Sequence, residues 1–95
     1  NLSLRRSENM PVISMFYGII ILMHWNDHYP PHFHARYQNY EAVFSLDGDL
    51  LSGEMPKRQT RLIAAWSEIH REDLEADWEL CKADISPMRI EGVRF

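Results

Sequence analysis

The alternation across residues 32–46 constrains this chain more than any other feature. Phe33, Ala35 and Tyr37 are interleaved with His32, His34 and Arg36; beyond Gln38-Asn39, Tyr40, Ala42, Phe44 and Leu46 are interleaved with Glu41, Val43, Ser45 and Asp47. Successive side chains of a strand point to opposite faces, so each run presents one apolar face. A two-residue turn at Gln38-Asn39 sets Tyr37 opposite Tyr40, Ala35 opposite Ala42 and Phe33 opposite Phe44. The same register puts Arg36 opposite Glu41, His34 opposite Val43 and His32 opposite Ser45 on the other face. Slipping by one residue would bury the polar set, so the register is specified from both strands.

The segment leading into this hairpin is Asn26-Asp27-His28-Tyr29-Pro30-Pro31, and with His32-Phe33-His34 it holds three of the chain's five histidines beside one carboxylate. The diproline fixes φ and removes backbone donors, which favours an extended or turned path over a helix. If Phe33 faces the core, His32 and His34 emerge together on the opposite face. Neutral imidazole is the commonest protein ligand for transition metals. His28, His32 and His34 therefore form a candidate three-histidine site for zinc or manganese, with an open position for water. Asp27 is a fourth ligand or a carboxylate that orients an imidazole. An open zinc site lowers the pKa of its water to about 7, giving a nucleophile for phosphodiester or acyl cleavage. The plainer alternative is that these rings hydrogen-bond loop carbonyls and carboxylates and lock the turn.

Elsewhere the pattern is coarser. Residues 12–16 form a short apolar run broken at Tyr17-Gly18, and residues 19–25 are apolar on both parities, as in a central strand. Asp47-Gly48-Asp49 is a turn, and 50–54 reads as a short return strand. Pro56 suits a first helical position. Leu62, Ile63, Trp66, Ile69 and His70 then follow helical spacing, as do Leu74, Trp78, Cys81 and Ile85. A single helix over 56–84 would be about 40 Å long, too long for so small a domain, so a break is expected at 70–73. His70 suits the end of the first helix, and Glu72 and Asp73 the start of the second. Residues 87–91 read as an extended tail on the sheet. The expected fold is α+β: an antiparallel sheet of four to five strands, followed by two C-terminal helices packed on one face.

A chain of 95 residues makes one domain, expected over 10–95. Residues 1–9 are polar and aperiodic, and Met10-Pro11 resembles a natural start; they read as a disordered extension, an expression remnant or a misassigned start. The net charge of −4 excludes a generally basic nucleic-acid-binding surface, though not a local patch. The lone Cys81 has no internal partner and fits a reducing cytoplasm. The greasiest run, residues 15–25, is too short to span a bilayer, which takes about 20 apolar residues.

Met10-Pro11-Val12-Ile13, Phe16-Tyr17-Gly18-Ile19, the segment from Asp27 to Ala35, Glu41-Ala42, and Trp66 with His70 carry a resemblance. Over residues 10–90 the chain resembles the small bacterial domain of unknown function 4160, whose most specific motif here is Pro30-Pro31-His32-Phe33-His34. The resemblance implies a bacterial cytoplasmic protein in a toxin–antitoxin-like gene context, held by a small cognate partner protein. His24 stands where relatives more often have an aromatic residue, so the resemblance gives it no role.

The remaining candidates concern phosphate and proton transfer. Arg36 on the histidine face can hold a phosphate and Glu41 can serve as a general base, with a plain cross-strand ion pair as the alternative. Lys57, Arg58 and Arg61 crowd the start of a helix and form a candidate basic patch for a nucleic-acid phosphate. The leading expectation is a toxin-like, metal-dependent nuclease or phosphodiesterase, with Asp27, Arg36 and Glu41 as its catalytic side chains. The competing expectation is a non-catalytic module whose histidine-rich loop docks a partner protein.

Overall fold

The computed structural model describes residues 10–95, so the extension expected over 1–9 lies outside the described residues. Strands β1 (Val12–Phe16), β2 (Ile19–Leu22), β3 (His32–Tyr37), β4 (Tyr40–Ser45) and β5 (Leu50–Gly53) come first. Helices α1 (Lys57–Ile69) and α2 (Arg71–Lys82) follow. The strands form one antiparallel sheet in chain order, β1-β2-β3-β4-β5. This is the expected α+β architecture, with five strands and two C-terminal helices.

The β3–β4 register is the one the alternation specifies at all six positions, from His32 opposite Ser45 to Tyr37 opposite Tyr40. Phe33, Ala35, Ala42 and Phe44 are buried, together with Ile13, Ile19 and Ile21 from the first hairpin. The helices bring Ile63, Trp66, Leu74 and Trp78 onto this layer. Trp66 is fully buried, its ring centroid 5.3 Å from that of Phe16 and 5.5 Å from that of Phe33. Its indole N–H donates to the Glu91 carbonyl at 2.9 Å, so the same side chain packs the core and ties down the tail. Ile90 N–H donates to the Ile13 carbonyl, and Ile90 and Val93 are buried beside the first hairpin. The tail therefore lies along β1, as expected.

The helical break falls at His70. Its N–H donates to the Trp66 carbonyl, closing α1, and its carbonyl accepts from Leu74 N–H, opening α2. The His70 ring turns toward Asp73 Oδ2 at 3.3 Å, in the first turn of α2. It thus joins the two helices, where the charge pattern alone placed it at the end of the first.

Two buried side chains of α2 have shifted proton affinities. Burial pushes the Asp77 carboxyl up to about 6, against the hydrogen bond it accepts from Met88 N–H at 2.8 Å and aided by the charge of Asp73. Burial, then the Asp77 charge, pushes the Cys81 thiol up to about 11, so Cys81 behaves as a small protonated hydrophobe. Because the folded chain prefers neutral Asp77, its contribution to stability is complete below the ordinary value of 3.8. That contribution is lost as pH rises to about 6. Asp77→Asn is expected to be more stable than wild type at pH 7.5, by up to about 3 kcal/mol, with the gap closing at pH 4. Urea unfolding at the two pH values checks this; a gap that does not change with pH contradicts it.

Candidate metal centre

Strand parity builds the site. Ile20, Leu22 and His24 share one side of the chain through and past β2, and Leu22 lies opposite His34 of β3. His32 and His34 project from β3 on that same side, away from the apolar face. Between the strands, the Asn26–Pro31 loop turns Asp27 back over them. The loop is anchored to the helical layer by Asn26 N–H, which donates to the Cys81 carbonyl at 2.8 Å. The ring of Trp78, from the helical layer, lies 5.3 Å from that of His32.

Asp27 is the centre of this arrangement. Its Oδ1 accepts from the backbone N–H of His28 and lies 2.8 Å from His28 Nδ1. Its Oδ2 lies 2.8 Å from His32 Nε2 and 3.8 Å from His34 Nε2. Burial alone would raise the Asp27 pKa, but the hydrogen bonds from His28 and His32 and the charge of His32 outweigh it and hold it at about 2. The carboxylate is therefore ionised throughout the physiological range. His34 moves the other way for an imidazole: burial, then the charges of His24 and His32, lower its pKa and favour the neutral ring.

The two ring nitrogens of His32 are both committed. Nδ1 lies 2.7 Å from the Pro30 carbonyl, which can only accept, so Nδ1 carries a hydrogen. Metal-binding histidines characteristically anchor their other N–H in this way. Nε2 of His34 is buried and has no hydrogen-bond partner. The His24 ring meets that of His34 edge-on, with centroids 4.7 Å apart. Among the described residues, two groups of three offer ligand atoms within 4.8 Å of one another: His24, Asp27 and His34, and Asp27, His28 and His32.

The expected residues are thus sorted unequally. His28, His32 and His34 all gather at Asp27, but they divide between two groups and do not form a single triad. Asp27, expected as a fourth ligand or an orienting carboxylate, belongs to both. His24, to which no role was given, joins the inner group. Its signal was present in the sequence: it continues the parity of Ile20 and Leu22 on the face that His34 occupies. Arg36 and Glu41 form a cross-strand ion pair at 3.0 Å, with both side chains about half exposed. They stand outside the cavity of about 500 Å³ lined by the histidines, Pro30, Val43, Leu51 and Ser52. Lys57, Arg58 and Arg61 are exposed on the first turns of α1.

The donor set of imidazole nitrogens and one carboxylate suits zinc and other borderline metals, and fits magnesium or calcium poorly. A buried imidazole nitrogen lacking a partner, beside a permanently ionised carboxylate, is what such an ion would satisfy. The fold and cluster thus define an α+β domain with a histidine–carboxylate centre on the open face of its sheet. The family described as Domain of unknown function (DUF4160) matches residues 18–79, from the β1–β2 turn into the last turn of α2, and the chain belongs to this family. No curated protein and no solved structure matches the chain.

Proposed function

We propose that this domain is a metal-dependent hydrolase of phosphodiester bonds, the toxin-like half of a two-protein bacterial module. Its metal would be held by His24, Asp27 and His34. One observation carries the reading: His34 Nε2 is buried without a hydrogen-bond partner, 3.8 Å from an Asp27 carboxylate oxygen. Leaving a buried polar atom unpaired costs about 1–3 kcal/mol, and a cation shared by these three side chains removes that cost. Bound zinc supplies Lewis acidity and a water whose pKa falls to about 7. Asp27 contributes the fixed negative charge, and neutral His34 presents a lone pair. His32, anchored at Pro30, keeps Asp27 in place. Arg36 stands two positions beyond His34 on the same strand face and would bind the phosphate, with Glu41 orienting it. The exposed Lys57, Arg58 and Arg61 would give weaker, salt-sensitive attraction to a nucleic-acid backbone. Module membership comes from the resemblance alone.

The chain, purified without a histidine tag and loaded with zinc or manganese, is expected to cleave bis(p-nitrophenyl) phosphate or single-stranded RNA. Activity should be abolished by chelator and lowered at least about 100-fold by His34→Ala, since losing a ligand should exceed the roughly 10–100-fold cost of losing a residue that only orients one. Cleavage that survives both treatments, or a loaded protein without any, overturns the hydrolase.

A second reading is favoured by the rim of the cavity. Leu50 and Leu51 of the edge strand β5 are 47% and 50% exposed, and Leu51 lines the histidine cavity. A small partner protein seated on this edge would cover the centre, either inhibiting the hydrolase or using the loop purely as a docking surface.

A further inference from the structure

We infer that the Asp27 cluster holds two metal ions, the second on Asp27, His28 and His32, with the Asp27 carboxylate bridging them. This rests on the reading above, which places the first ion on His24, Asp27 and His34.

Two observations lead to it. First, the two triads share Asp27 alone, and the four rings do not collapse into one larger group, so they mark two centres. Second, the carboxylate reaches rings of both triads: Oδ1 faces His28 Nδ1 at 2.8 Å, whereas Oδ2 lies 2.8 Å from His32 Nε2 and 3.8 Å from His34 Nε2. Bridging carboxylates serve two-metal hydrolytic sites in this way, with the ions about 3.5–4 Å apart.

The His28 side chain, 81% exposed, directs Nδ1 at the same carboxylate. With His32 it completes a set of two imidazoles and one carboxylate. Three protein ligands with open positions are the arrangement of catalytic zinc sites. The outer ion would sit at the solvent mouth of the cavity, on the side from which a phosphodiester enters. Two ions there would contact the attacking and the leaving oxygen of an in-line displacement.

Equilibrium dialysis of the untagged chain against micromolar zinc, with metal counted by mass spectrometry, tests this. Two zinc ions per chain are expected for wild type, one for His24→Ala, one for His28→Ala and none for Asp27→Ala. His28 lies on the surface, so that variant keeps the fold, which circular dichroism verifies. One ion in wild type that persists in His28→Ala overturns the second site and leaves the first standing. Two ions that both persist in His28→Ala also overturn it. No zinc in wild type removes this inference and the reading beneath it together.

Discussion

Asp27→Ala is expected to abolish zinc binding and to loosen the loop that carries His28. The residue is a proposed ligand and also the acceptor for two imidazoles and one backbone N–H. Its loss should therefore exceed the roughly 10–100-fold drop in affinity typical of removing a residue that only orients a ligand. The folded chain should also suffer without metal. His32 has a side chain only 6% exposed, and its Nε2 would lose the partner it has. Such an orphaned buried group costs about 1–3 kcal/mol. Asp27→Asn separates the two effects, since it keeps an acceptor oxygen and the shape while removing the charge. Zinc titration calorimetry together with urea unfolding of both variants checks this. Unchanged zinc affinity in Asp27→Ala would contradict the assignment of Asp27 as the shared ligand.

The second large effect is expected at Trp66. Trp66→Ala removes a fully buried ring that touches Phe16 and Phe33 and holds the tail through Glu91. Emptying such a site costs about 3–5 kcal/mol, a large part of the roughly 5–15 kcal/mol that holds a domain together. The variant should be largely unfolded near 37 °C by circular dichroism. Trp66→Phe refills most of the volume but leaves the Glu91 carbonyl without its donor, and should cost about 1–3 kcal/mol. A native-like melting curve for Trp66→Ala would mean that the helical layer does not depend on this contact.

Much of the fold was legible because period two and period 3.6 are local signals. Phe33, Ala35, Ala42 and Phe44 announce their shared face, and the turn between them leaves one register. The helical break was legible from length alone, since a single helix would overrun the domain. The ring of His70 was not, because which of two helix ends it serves depends on the angle between them.

The site was legible in composition and only partly in geometry. That His32 and His34 share a face follows from alternation. How far their nitrogens lie apart does not, since it depends on ring torsions and on the returning loop. Asp27 became the hub because the Asn26–Pro31 turn, pinned at Cys81, folds back over the strands. No sequence pattern encodes that contact with α2. His24 was passed over because the resemblance gives it no role, although it continues the parity of Ile20 and Leu22. Arg36 and Glu41 pair as the register requires, and nothing in a register says whether such a pair reaches a neighbouring cavity.

The most direct measurement is the zinc K-edge absorption spectrum of the untagged chain after loading. A first shell of nitrogen and oxygen at about 2.0–2.2 Å, with outer-shell scattering from two imidazoles per zinc and no sulfur, is expected. A shell of oxygen alone, or sulfur at about 2.3 Å from Cys81, would contradict a metal centre built on Asp27 and its histidines.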